Sequence, residues 1–348
     1  MSRGAGLQGM CVDGQGSAGH ISRKHHRGQA IWAGGGRTDR VFADHRLHER
    51  RPHAETAQEP AANPRQKRCN PGIPTKAARL VKTPVERIRQ TVAQLPVAHY
   101  DETGWRVAGK LHWLHCACNE QWRYYTVQEK RGQEGISDIG VMPYASGVAV
   151  HDFWKLYQKY DNVDHAMCCA HLERRLVYAH EIGNHAWAKL LRELLQTLCH
   201  RRKVLQSEGK EAFPEQELAV YLERYDRLND EEFAANPIPE CTPGKRGPKA
   251  KGKFRCLLDC FRGFKDDDIL RFARNWRVPY TNNTAERAIR CARGKEKVFG
   301  CFRTKSGVDD FARVLSFISS AALHGFYSFD AIVAAFRGDA VEVLFGVD

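Results

Sequence analysis

Between Val97 and Asp152 the chain is a succession of short β-rich runs, and beyond His171 it turns to long helical ones; that order constrains the fold most. VAHYD, LHWLHCACN and WRYYTVQE are dense in β-branched and aromatic residues, which suit a pleated, half-buried surface. Separated by GWRVAGK and EQ, they read as three strands in meander order. GQEGISDIGVM reads as a short helix, GVAVHD as a fourth strand and DNVDHAMCCAH as a fifth, edge-like segment. Strands first, then strand alternating with helix, imply a mixed α/β sheet with helices packed on it.

After His171, LERRLVYAHEIGN, HAWAKLLRELLQTLCHRRKVLQSEG and EQELAVYLERYDRLNDEEF carry apolar residues at three- and four-residue steps. Residues 171–275 are therefore expected to form a helical insertion, interrupted by an exposed basic loop near 237–253 in NPIPECTPGKRGPKAKGK. Within it, FRCLLDCFRGF puts Cys256 and Cys260 on one apolar face. Residues 276–348 return to the sheet layer and end in a long helix, VDDFARVLSFISSAALHG, with KVFGCFRTKSG read as a loop or hairpin before it. Upstream, PVERIRQTVAQL behind Thr83 predicts a lead-in helix within 73–96, and 97–170 is the first part of the core. Residues 1–72 are rich in Gly, Arg, His and Pro without periodicity, and are expected to be disordered: a basic arm, a truncated start or a frame-shifted extension.

The chain has 348 residues, enough for a well-packed core. Its 54 Lys and Arg against 41 Asp and Glu give a net charge of +13, which favours a polyanionic partner such as nucleic acid. Twelve cysteines in so long a chain, with no signal-like start, are expected to be reduced thiols. No run reaches the roughly 20 apolar residues a membrane helix needs, so no membrane role is expected and a cytoplasmic, nucleoid-associated location is.

Three separated acids stand in settings suited to holding catalytic metal: Asp101 in VAHYDETGW, Asp152 in GVAVHDFW and Glu286 in NNTAERAIR. The first two are expected at strand ends; the third lies in a helix opened by Asn282, Asn283 and Thr284, residues that cap exposed backbone N–H groups. Phosphodiester chemistry needs an in-line nucleophile and cations that neutralise the attacking and leaving oxygens. Mg²⁺, or Mn²⁺, prefers oxygen ligands and binds through a few carboxylates, and two such ions would share Asp101. Each acid also has an ordinary reading: Asp101 as a turn residue before Thr103-Gly104, Asp152 as a helix N-cap, Glu286 as a surface acid paired with Arg290.

In CCAHLERR, Cys168 and His171, with His165 nearby, are weighed as zinc ligands, but the spacing completes no recognisable four-ligand site and a supporting role is preferred. Arg287, Arg290 and Arg293, followed by Lys295 and Lys297, form a basic strip read as a phosphate contact against the alternative of a solvated helix face. Trp105 and Trp113 read as core or site wall.

DETGWRVAGKLHWLH, GVAVHDFWKLY, CCAHLERRL, VPYTNNTAERAIR and GCFRTKSG, in that order over roughly residues 84–337, resemble transposases of the insertion sequence 66 family. The resemblance implies an RNase H-like fold, a helical insertion between the second Asp and the Glu, and Mg²⁺-dependent cutting and joining at the ends of a mobile element. It carries the catalytic triad onto Asp101, Asp152 and Glu286, with Cys168, His171 and Asn283 as supporting residues. The partners it implies are element-end and target DNA, a second copy or more of the chain, and accessory proteins of the element. Two rival readings keep the same core: a nuclease without strand transfer, and a decayed remnant that binds DNA without cutting it. Specific recognition of element ends is expected to be weakened, because Cys11 and Cys69 stand alone where relatives carry paired cysteines.

Overall fold

The computed structural model describes residues 72–237, 253–264, 268–299 and 301–346, side chains of 297–299 excepted. The expectations for residues 1–71 and for most of the basic loop near 237–253 lie outside the described residues.

The lead-in is two helices rather than one: α1 (Gly72–Leu80) and α2 (Lys82–Ala93). Pro84 falls in the first turn of α2, where a missing backbone N–H costs nothing, so the chain bends at Val81 and restarts there. Val85, Ile88 and Val92 then point into the core at helical spacing.

Three strands follow: β1 (Val97–Val107), β2 (Lys110–Cys118) and β3 (Arg123–Gln128). β1 does not stop at Asp101 as expected. Its pairing with β2 continues through Thr103↔Leu114 and Gly104↔Trp113 to Val107↔Lys110. The reversal is confined to Ala108 and Gly109, both at positive φ (49° and 78°), the twist that a two-residue hairpin requires. After α3 (Gln133–Asp138), β4 (Val148–His151) and β5 (Asp164–Met167) run parallel to β1. The sheet order is β3-β2-β1-β4-β5, the RNase H-like mixed sheet that the resemblance implies, with β1 central.

Among the described residues from Cys169 to Arg274 the regular elements are helices: α4 (Cys169–Glu181), α5 (Ala186–Ser207), α6 (Glu215–Ala235), α7 (Lys253–Gly263) and α8 (Arg271–Arg274). Leu191, Leu194, Leu195 and Leu198 of α5 pack with Leu172 and Leu176 of α4 and with Val148 and Val150 of β4, so the insertion shares its core with one sheet face. Cys260 is buried and free as expected, whereas Cys256 is disulfide-bonded rather than a reduced thiol.

The chain returns through α9 (Asn283–Phe299), which takes in Lys297–Phe299 of the expected loop, and α10 (Lys305–Leu323), α11 (Ser328–Arg337) and α12 (Glu342–Phe345) follow. Between α9 and α10, Phe302 forms one bridge to Val107, and Thr304 caps α10 by accepting from Gly307 N–H. Ala285, Ala288 and Ala292, with Ile289 beside them, make the buried stripe through which α9 lies on β1 and β2. α10 covers the β3 edge: Ser316 and Ser320 hydroxyls accept from the backbone N–H groups of Tyr125 (2.8 Å) and Arg123 (3.1 Å). Donors that would otherwise invite another strand are thereby satisfied. No single described helix is long and apolar enough to cross a membrane.

Candidate active site

Asp101 and Asp152 are brought side by side by strand register. β1 and β4 pair Val97↔Val148, Ala98↔Ala149 and His99↔Val150, so two residues further along Asp101 lies level with Asp152 on the same sheet face. Gly147 permits this register. A Cβ there would lie 2.2 Å from the Leu95 carbonyl oxygen, and through the close approach Val148 N–H reaches Pro96 O at 2.9 Å. Asp101 is in mid-strand, its Oδ1 accepting from Glu102 N–H at 2.9 Å, whereas Asp152 does leave the end of β4, with Oδ1 accepting from Trp154 N–H at 3.1 Å. That second bond is a local turn and not a helix cap, since no α-helix follows.

Glu286 sits in the first turn of α9, and three tethers fix where that helix begins. Asn282 Nδ2 donates to Tyr100 O (2.8 Å), and its Oδ1 therefore accepts from His99 Nδ1–H (2.9 Å). Cys169 N–H donates to Tyr280 O at 3.0 Å, joining the start of α4 to the same segment. Arg202 of α5 donates to the carbonyls of Phe272 (2.9 Å), Val278 (2.7 Å) and Trp276, clamping the chain that leads into α9. The insertion is thus what delivers the third acid.

The electrostatics follow from this convergence. Burial, then the charges of Glu102, Asp152 and Glu286, raise Asp101 from an ordinary 3.8 to about 7, against the opposing Glu102 N–H bond. Burial also raises Asp152, opposed by Arg131 and Arg175. Glu286 has a side chain only 12% exposed; its Oε2 accepts from Arg290 at 2.9 Å, while its Oε1 is buried with no hydrogen-bond partner. Asp101, near enough to Asp152 and Glu286 for their charges to raise it, and Glu286, with one oxygen orphaned, are oxygen donors of the kind a hard divalent cation takes.

Residues 73–310 match the family model described as Transposase IS66 family. The chain belongs to that family. No curated protein matches it. Family membership makes it a transposase of an insertion element, with DNA as its substrate class.

In this transposase the residues singled out from sequence fare unequally. Asp101, Asp152 and Glu286 converge, and Cys168 and His171 lie beside Glu286, with His171 Nδ1 3.6 Å from Glu286 Oε1. Asn283 is exposed; the supporting bonds belong to its neighbour Asn282, which is buried. Of the basic strip, Arg290 is held by Glu286 and Arg293 by Glu296 (3.1 Å) and Thr103 (3.1 Å), so they are not free cations. Arg287 is exposed, Lys295 half-buried, and the Lys297 side chain lies outside the described residues. Trp105 is wholly buried in the core, whereas Trp113 lies under the Arg131 guanidinium on the sheet face opposite Asp101.

Sequence reasoning missed the group on the far face of β1. Glu102, its side chain 2% exposed, pairs with Arg131 (2.8 Å) and accepts from Tyr157 Oη (2.6 Å). The Arg131 guanidinium lies over both Trp113 (4.6 Å) and Trp154 (4.4 Å). The Asp-Glu pair of DETGW signals a second buried acid, but nothing in EKRGQEG announces that its Arg returns to it.

Proposed function

We propose that this transposase cuts DNA at the ends of its element and joins the freed 3′-OH to target DNA, with Asp101, Asp152 and Glu286 as ligands of magnesium or manganese, two ions in all. The observation that carries this reading is the register that levels Asp101 with Asp152 beneath the tethered Glu286. Bound there, divalent cations supply neutralisation of charge on the attacking and leaving oxygens. In the first step a water oxygen bonds to phosphorus and the element's 3′-oxygen leaves as a hydroxyl. In the second that 3′-oxygen bonds to a target phosphorus and a target 3′-oxygen leaves; bonds broken and formed balance and no covalent protein intermediate is needed. Asp101 and Asp152 are held rigid by the sheet, and Asn282 fixes Glu286 relative to them. Arg287, Lys295 and Lys297, with Arg290 and Arg293 once released from their acids, contact phosphate. Paired ends call for a dimer or larger assembly, accessory proteins of the element are further partners, and the work is done in the cytoplasm on nucleoid DNA.

The test is joining of a pre-cut terminal DNA fragment to a plasmid in Mg²⁺ or Mn²⁺. Wild type joins, and Glu286→Gln falls by at least about 10²-fold, the upper end of what loss of a mere outer-shell partner costs. Equal joining by both removes Glu286 from the site. Cleavage without joining supports the nuclease reading, and DNA binding without either supports the remnant.

A further inference from the structure

Where α4 and α9 begin, a second donor set overlaps the first. Cys168 Sγ, a ring nitrogen of His171 and a carboxylate oxygen of Glu286 all lie within 4.8 Å of one another. His171 Nδ1 and Glu286 Oε1 are 3.6 Å apart, too far for a hydrogen bond, and both are buried without a partner. Two orphaned polar atoms facing each other across such a gap carry a desolvation cost that an ion between them would remove. With zinc–nitrogen and zinc–oxygen distances of about 2.0–2.2 Å, imidazole and carboxylate donors around a tetrahedral zinc lie about 3.3–3.6 Å apart, and the observed 3.6 Å is at the upper end of that range. Cys168 Sγ lies within 4.8 Å of both and has to draw closer to join them.

The chemistry of the donors is specific. Thiolate, imidazole and carboxylate together suit zinc and its transition-metal neighbours, while magnesium takes oxygen almost alone. Asn282 N–H points at Cys168 Sγ from 3.2 Å and fixes where the sulfur sits. Cys169 is not part of the set, since its Sγ faces the carbonyls of Met167 (3.8 Å) and Ile269 (3.7 Å) in the core. Three protein donors leave a fourth position for water, the mark of an exchangeable site rather than a closed structural one.

We propose that Cys168, His171 and Glu286 bind a zinc-type transition-metal cation, and that filling this site withdraws Glu286 from Asp101 and Asp152. The withdrawal rests on the reading of Glu286 as a ligand beside those two acids; the binding does not. One carboxylate oxygen cannot face both sites at full strength, so the soft cation acts as a competitive brake on hard-cation chemistry.

The full chain, stripped of metal and kept reduced, is titrated with Co²⁺. The expected result is one equivalent bound, with a thiolate-to-cobalt charge-transfer band that zinc displaces. Cys168→Ser loses the band while Cys169→Ala keeps it, and His171→Gln and Glu286→Gln each weaken binding by at least about tenfold. A wild-type band in Cys168→Ser overturns the site; should that variant misfold by circular dichroism, unchanged affinity in His171→Gln does so instead. Electron paramagnetic resonance of bound Mn²⁺ reads the competition: zinc frees Mn²⁺ from wild type and not from Cys168→Ser. Retention of Mn²⁺ by zinc-loaded wild type overturns the brake. Failure of wild type to bind Mn²⁺ at all refutes the carboxylate-site reading and the brake with it, while the cobalt titration still decides the zinc-type site.

Discussion

Asp101→Asn stabilises the metal-free protein. The wild-type carboxyl titrates near 7 in the fold against 3.8 ordinarily, because it is buried beside Glu102 and Asp152. At 1.36 kcal/mol per pH unit, that difference is about 4 kcal/mol. The folded pKa is the higher one, so the folded state holds the proton more tightly. Stability is undiminished below pH 3.8 and is lost as pH climbs through 7. Asn carries no charge at any of these pH values, and its Oδ1 can still accept from Glu102 N–H. In EDTA at pH 8 the variant should therefore melt higher than wild type by up to about 8 °C, taking about 2 °C per kcal/mol for a domain of this size. At pH 4 the gap should close. Added Mn²⁺ should raise the wild-type midpoint and leave the variant's nearly unchanged. The assay is thermal melting by circular dichroism at several pH values, with and without chelator. A variant no more stable than wild type at pH 8 in EDTA, or a gap independent of pH, refutes the electrostatic account of the site.

Three other perturbations probe the supporting structure. Asn282→Ala leaves His99 Nδ1–H and Tyr100 O unpaired in a buried joint, and should cost about 1–3 kcal/mol in urea unfolding, with a fall in joining rate larger than the fall in DNA affinity. Arg131→Ala strands the Glu102 carboxylate with only Tyr157 as partner; since Arg131 is itself 43% exposed, a loss of about 1–3 kcal/mol is expected in place of the larger cost for a fully buried pair, and Glu102→Gln should restore much of it. Arg287→Ala removes an exposed cation, and should lower the slope of log affinity against log salt by about 1 for duplex DNA at unchanged thermal stability.

The three acids that the fold brings near one another were legible because they belong to local patterns: an apolar run ending in Asp152, and an Asn-Asn-Thr helix start carrying Glu286. The extent of β1 was not. Asp101, Glu102 and Gly104 are poor strand formers, yet β2 pairs with all three and with Thr103 between them, and pairing rather than propensity decides where a strand ends. The choice between Asn282 and Asn283 turned on helix phase, which a run of adjacent capping residues leaves open; only the position of β1 shows which one faces inward. Arg131 was illegible for another reason. A loop side chain acquires its partners from tertiary contact, here two tryptophans and an acid from three different segments.

The tethering of Glu286 by Arg202 and Asn282 has a consequence during synthesis. The sheet with Asp101 and Asp152 leaves the ribosome early, but the residue that completes the site follows only after every helix of the insertion has been made. A nascent chain, or any product that ends prematurely before α9, therefore carries two of the three acids of the proposed metal site and lacks the third. On the proposed reading, cutting is thereby withheld until translation is nearly done.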